Sequence, residues 1–153
     1  GILERARDHR LRAQFIDPTD LSRDEFDRRV TSVLHEYQID LIVLIGYMRI
    51  LSAEFVQTWR DKIINVHPSL LPAFAGKMDL DVHRAVLESG VKETGCTVHH
   101  VTEDVDAGPI ILQKSCAVLP ADTPESLKAR VQQLEGAALV EAIALLSRQR
   151  VSF

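Results

Sequence analysis

Aromatic residues make up only 5% of this 153-residue chain, and cysteine occurs twice. Lys and Arg number 18 against 22 Asp and Glu, for a net charge of -4. No basic stripe interleaved with stacking rings can be drawn from that inventory, which argues against a nucleic-acid groove. Cys96 and Cys116 form neither a C-x-x-C pair nor the dense framework of a small secreted domain. Two buried thiols in a reducing cytoplasm are the expectation. Apolar runs are short: Leu41–Ile45 falls far below the roughly 20 residues that span a bilayer. No signal peptide is visible, because residues 2–10 (ILERARDHR) are charged and helix-like. Repeats, linkers and low-complexity segments are lacking too. So are a G-x-S-x-G elbow, an H-E-x-x-H pair, a G-x-G-x-x-G turn and a Walker loop. His67, His83, His99 and His100 are spread over three elements, a poor spacing for a metal. His99 and His100 alternate faces of one strand, so at most one of them can line a site.

What is present is 46% apolar content, enough for one core in a single domain over residues 1–153. Residues 2–10 read as the tail of a helix, and Gln14–Ile16 as a short strand before the Pro18 turn. Ser22 is placed to cap a helix in which Phe26, Val30, Val33 and Leu34 recur at helical spacing. The run DLIVLIGY (40–47) predicts a strand buried on both faces. A short helix around 52–61 follows, then a strand over 63–66, a helix over 79–89 closed by Gly90, and strands over 95–101 and 109–118. Asp122 or Thr123 caps a last helix, with Pro124 in its first turn and Glu125 reaching back. Its buried stripe is expected to be Leu127, Val131, Leu134, Ala138, Ile143 and Leu146. The alternation predicts an α/β domain, a mostly parallel twisted sheet flanked by helices, with antiparallel strands late in the chain.

One stretch departs from a generic pattern: IINVHPSLLPAF (63–74). Residues i and i+2 of a strand share a side, so Asn65 and His67 project together, and Pro68 ends the strand immediately after them. Carboxyl ends of strands in α/β sheets are where ligands bind. An amide and an imidazole suit a developing oxyanion, the first as an N–H donor and the second as a donor that can release its proton. Asp106, in DVDAGP, lies in a tight loop leaving another strand. A carboxylate beside His67 would hold its tautomer and raise its pKa. Each residue alone reads equally as a turn former or a satisfied core histidine; the combination Asn65, His67, Asp106 is what points to chemistry. No Ser or Cys nucleophile accompanies them, so the trio suits a reaction whose nucleophile arrives with the substrate.

The motifs GYMRILS, INVHPSLLPAF, DVHRAVLESGVKETGCTVHHVTEDVDAGPIILQ and ARVQQLE, in that order, resemble the phosphoribosylglycinamide formyltransferase family. The resemblance implies a Rossmann-like formyltransferase fold with a long C-terminal helix. It also implies transfer of a formyl group from 10-formyltetrahydrofolate, as co-substrate, to the amine of 5-phosphoribosylglycinamide, with no covalent enzyme intermediate and no metal. Small molecules are then the partners, with no nucleic acid and no membrane, a homodimer as the assembly and the cytoplasm as the location. Carried over by residue, Asn65 matches an oxyanion-stabilising asparagine, His67 the catalytic proton donor and Asp106 the aspartate that tunes it. Met48, Arg49, Ile50 and Leu51 match the segment that cups the pteridine. Thr102, Glu103, Asp104, Val105 and Asp106 match the folate-binding loop, and Arg23 a contact to the folate tail. Gln132 and Glu135 match contacts to the glycinamide substrate.

The family pattern also begins with a strand and a Gly-, Ser- and Asn-containing loop that grips the ribose phosphate, which this sequence does not show; the expectation is that an N-terminal piece is missing. Residues 77–83 (KMDLDVH) read as a loop variant. Formyltetrahydrofolate deformylase and methionyl-tRNA formyltransferase share the Asn-x-His and Asp arrangement, and a folate-binding module without catalysis is a further alternative. Against the deformylase, Pro68 stands where a second histidine usually follows the catalytic one.

Overall fold

A computed structural model of the protein describes residues 1–150. The elements run α1 (Ile2–Asp8), α2 (Arg23–Glu36), β1 (Ile42–Leu44), α3 (Ala53–Thr58), β2 (Ile63–His67), α4 (Leu80–Ser89), β3 (Glu93–His100), β4 (Ile110–Ala117) and α5 (Pro124–Arg150). Their starts and stops follow from local chemistry. Ser22 caps α2 in a reciprocal box: its Oγ accepts the Glu25 N–H at 3.3 Å, and Glu25 Oε2 accepts the Ser22 N–H at 2.9 Å. Gly90 ends α4 in the left-handed region at φ 70°. Thr123, not Asp122, caps α5, accepting the Ser126 N–H at 3.2 Å. Asp122 instead takes a paired guanidinium from Arg130 at 2.7 Å, which holds its carboxyl well below the usual range. No helix among the described residues is long and apolar enough to cross a membrane.

The four strands lie in the order β1-β2-β3-β4. β1 and β2 pair in parallel, while β2–β3 and β3–β4 are antiparallel. The α/β class, the late antiparallel strands and the long last helix agree with expectation. A mostly parallel sheet is met in one pairing of the three among the described residues. The short β3–β4 connection is compatible only with an antiparallel hairpin.

Strand alternation divides the core in two. Ile64, Cys96 and Val98 face α5, where Leu127, Val131, Ala138, Leu139 and Ala142 complete a buried cluster. Ile63 faces the other way, under Phe55 and Trp59 of the α3 segment. Burial pushes the Cys96 thiol up to about 11 and that of Cys116 upward as well, so both are poor nucleophiles.

Three local expectations are corrected. Gln14–Ile16 is not a strand, for no neighbouring strand offers it hydrogen bonds among the described residues. The run 40–47 yields only a three-residue strand, half-buried and outermost in the sheet, with Ile45 71% exposed. On α5 the buried stripe follows Ala138, Leu139 and Ala142, leaving Ile143 exposed, because steps of four residues stay on one side better than a step of five.

Candidate active site

β2 starts apolar and ends polar on the same face: Ile63 packs under Trp59, then Asn65 and His67 continue along that side. The antiparallel register places His99 opposite Asn65 and Thr97 opposite His67. His67, Thr97 and His99 are all buried. The loop carrying Asp106 leaves β3 beside Ile63, at the amino end of β2, since Val101 donates to the Ile63 carbonyl at 2.9 Å. It reaches His67 by folding back over the sheet face. Two residues permit that path. Gly108 lies so close to the His100 carbonyl that a Cβ would stand 1.8 Å from its oxygen. Asp106 itself adopts φ 55°, a region that Asp tolerates better than most residues.

The result is a closed polar cluster. Asp106 Oδ2 stands 3.2 Å from His67 Nδ1 and accepts the Gly76 N–H at 2.8 Å. Its other oxygen is 3.6 Å from His99 Nε2. His67 Nε2 lies 3.2 Å from the Phe74 carbonyl oxygen. Both ring nitrogens of His67 thus face acceptors, an arrangement that rewards the doubly protonated ring. Burial nevertheless pushes the His67 pKa below its ordinary value; Asp106 and the Phe74 carbonyl oppose this without offsetting it, and His99 adds to the lowering. Asp106 does raise this pKa, as expected, but desolvation outweighs it, so the net shift is downward and the expectation of a favoured imidazolium at rest is corrected. In the neutral ring the Asp106 carboxylate, a stronger acceptor than the Phe74 carbonyl at the same distance, favours the tautomer with its proton on Nδ1.

The segment after Pro68 is tied down from below. Thr97 Oγ1 donates to the Ser69 carbonyl at 2.7 Å and accepts the Leu71 N–H at 2.9 Å, while Gln113 Nε2 donates to Thr97 Oγ1 at 2.9 Å and to the Leu71 carbonyl at 3.0 Å. Ser69 Oγ donates to the Ala73 carbonyl at 2.6 Å. These bonds hold the turn that delivers Phe74 and Gly76 to the cluster.

Asn65, His67 and Asp106 are thus brought together. The other sequence candidates lie outside this cluster. Met48 and Ile50 are exposed beyond β1, and Leu51 packs on the Phe55–Trp59 cluster. Arg49 stacks its guanidinium 4.4 Å over the Phe26 ring. In the folded-back loop, Thr102 Oγ1 donates to the Asp104 carbonyl at 3.1 Å, Glu103 accepts from Gln57 at 3.0 Å, and Val105 is exposed. Arg23 sits at the start of α2, 3.7 Å from Asp24 and apart from the cluster. Gln132 and Glu135 lie on α5, which packs on the opposite face of the sheet. Gln132 is exposed; Glu135 is half-buried, and burial raises its carboxyl pKa against the pull of Lys128.

His99 is the residue that sequence reasoning did not assign. The signal was present in the alternation of His99 and His100, but only the β2–β3 register decides which of the two faces the site. The buried His83 is a second unassigned histidine. Its Nδ1 has no hydrogen-bond partner among the described residues, and burial, with Lys128 nearby, lowers its pKa.

Residues 2–143 match the family model described as Formyl transferase. The chain is 51% identical over 126 residues to the trifunctional purine biosynthetic protein adenosine-3 of Gallus gallus, covering 82% of this chain and 12% of that protein. It is 42% identical over 140 residues to the phosphoribosylglycinamide formyltransferase of Escherichia coli (strain K12), covering 88% of this chain and 63% of the relative. It therefore spans less than two thirds of the length of either. Among solved structures, glycinamide ribonucleotide transformylase 1 from Symbiobacterium toebii superposes with a TM-score of 0.91 at 45% identity, over 97% of this chain and 69% of that one. A formyltetrahydrofolate deformylase from Pseudomonas syringae pv. tomato str. DC3000 gives 0.82 at 29% identity, over 93% of this chain and 47% of that one. With the family match running over most of its length, this chain belongs to the formyl transferase family.

Proposed function

We propose that the protein transfers the formyl group of 10-formyltetrahydrofolate to the amine of 5-phosphoribosylglycinamide, a step of purine biosynthesis. The observation that carries this reading is the cluster at the end of β2 in which half-buried Asn65 and Asp106 flank the buried His67. The identity to relatives named for that reaction supports it. The amine nitrogen attacks the formyl carbon, and the carbonyl electron pair moves onto oxygen, where an Asn65 N–H stabilises it. His67, neutral at rest with its proton on Nδ1, takes the amine proton at Nε2, the substrate having replaced the Phe74 carbonyl there. The imidazolium is then flanked by the Asp106 carboxylate, and it returns the proton to the folate nitrogen as the carbon–nitrogen bond breaks. No covalent enzyme intermediate forms, and the reading uses no metal ion.

Met48–Leu51 and Thr102–Asp106 are assigned to the folate, with Arg23 toward its tail, and Gln132 and Glu135 to the ribotide. The partners are small molecules, the assembly to test is a homodimer, and the location is a reducing cytoplasm. The test is consumption of 10-formyltetrahydrofolate by the full-length protein, with and without the ribotide. Consumption should depend on the ribotide, and Asp106→Asn should lower kcat by roughly 10²–10³-fold with little change in KM for the folate. Consumption driven by water alone would favour a deformylase, and unchanged turnover in Asp106→Asn would remove the carboxylate from the mechanism.

A further inference from the structure

We infer that His99 is a positioning residue that selects which edge of the Asn65 amide is presented to the reacting oxygen. The inference rests on the proposed role of Asn65 and deepens it. His99 Nδ1 lies 2.9 Å from the His100 carbonyl oxygen. A carbonyl can only accept, so Nδ1 carries a proton, and in the neutral ring Nε2 then carries a lone pair. The opposite tautomer would set two lone pairs against each other at 2.9 Å. It would gain only a 3.6 Å approach to Asp106 Oδ1, too long for a hydrogen bond.

Nε2 is therefore an acceptor, and the group facing it is the Asn65 amide nitrogen at 3.3 Å. This contact breaks the near two-fold symmetry of the amide. With Nδ2 toward His99, one N–H is bound and the second is held in a fixed direction. With the amide turned over, Oδ1 would meet the Nε2 lone pair, and the N–H groups would leave the place the register assigns them. A primary amide on a strand has little else to choose its orientation, because the barrier about its terminal bond is low and broad. His99 is 2% exposed and faces Asn65 directly across the β2–β3 pairing, so water does not compete for the lone pair. The two histidines in the cluster thus divide the labour. His67 moves a proton, and His99, held by its neighbour's backbone, keeps Asn65 donating.

Two substitutions separate this role from a merely structural one. The amide nitrogen of Asn in His99→Asn can occupy the Nδ1 position and keep the bond to the His100 carbonyl, but it loses the acceptor at Nε2. The amide oxygen of Gln in His99→Gln can reach the Nε2 position and accept from Asn65, while the Nδ1 donor is lost. In the full-length protein His99→Asn should lower kcat roughly 10–100-fold with KM for the folate little changed, and His99→Gln should retain kcat within about tenfold. Equal losses, or the reverse order, would overturn the inference and leave His99 a loop anchor. Asn65→Ala is run beside them: if it leaves kcat unchanged, the oxyanion role of Asn65 has failed, independently of how the two His99 variants rank. A readout free of activity uses the 153-residue chain itself. Long-range proton–nitrogen correlation spectra should show His99 protonated at Nδ1 and bare at Nε2, and finding the proton on Nε2 would overturn the inference outright.

Discussion

β1 and β2 are built from the same kind of residue and pair side by side in parallel, yet they differ in depth. Ile63 and Ile64 are 1% and 0% exposed, whereas Ile42, Val43 and Leu44 are half-buried and Ile45 beyond them is 71% exposed. β2 has a strand on each side and a packed layer on each face, with α5 beneath Ile64 and the α3 segment over Ile63. Among the described residues β1 has a strand on one side only. An apolar run therefore sets that a strand forms, while the neighbours set how much water is removed from it. The site sits in the deeper of the two, where a low effective dielectric strengthens every hydrogen bond and charge contact around His67.

The largest expected break in this comparison is truncation of the deep strand. Ile64→Ala should cost about 2–5 kcal/mol, because the deleted atoms leave a cavity between Val98 and α5, whereas Ile45→Ala should stay within about 0.5 kcal/mol. Urea unfolding midpoints of the two variants measure the contrast. Equal losses would mean that the β1 side is covered in solution as thoroughly as β2.

A smaller effect tests the polar support under the site. Thr97→Val keeps the shape but strips the hydroxyl that serves Ser69, Leu71 and Gln113. Leaving the Ser69 carbonyl and the Leu71 N–H, both on buried residues, unpaired should cost about 1–3 kcal/mol and speed amide exchange at Leu71. Wild-type exchange at Leu71 in the variant would show that the turn after Pro68 is held by something else.

The smallest effect concerns pH. His67 and His83 both have pKa values depressed in the folded state below the ordinary value of about 6.5, chiefly by burial. The unfolded chain then binds more protons in the window just below that value, so stability is fully present above it and falls as the pH drops through the folded pKa values. Urea unfolding at pH 7.5 and 5.5 should show the loss, and the double variant His67→Gln, His83→Gln should show less of it. An identical pH dependence in the variant would mean that both rings are protonated as readily folded as unfolded.

Much of this was local and hence readable from the chain. The Ser22–Glu25 box and the Gly90 stop depend on residues within one turn of each other, and so does the shared side of Asn65 and His67. Asp106 was legible as a carboxylate in a Gly-Pro-tightened loop, and the motif resemblance tied it to His67. The balance on His67 was not legible. Proximity of Asp106 suggested a raised pKa, but the opposing desolvation depends on how deeply the folded protein buries His67, which no local pattern states. The depth of β1 and the choice of Ala142 over Ile143 on α5 are likewise set by what lies across from them. His99 makes the point most sharply. By itself the sequence determined that one of two adjacent histidines faces each side of β3, since alternation is a property of the backbone. Only the tertiary structure decided that His99 is the one opposite Asn65, because register is a pairing between strands joined by the whole of α4, and no local pattern carries it.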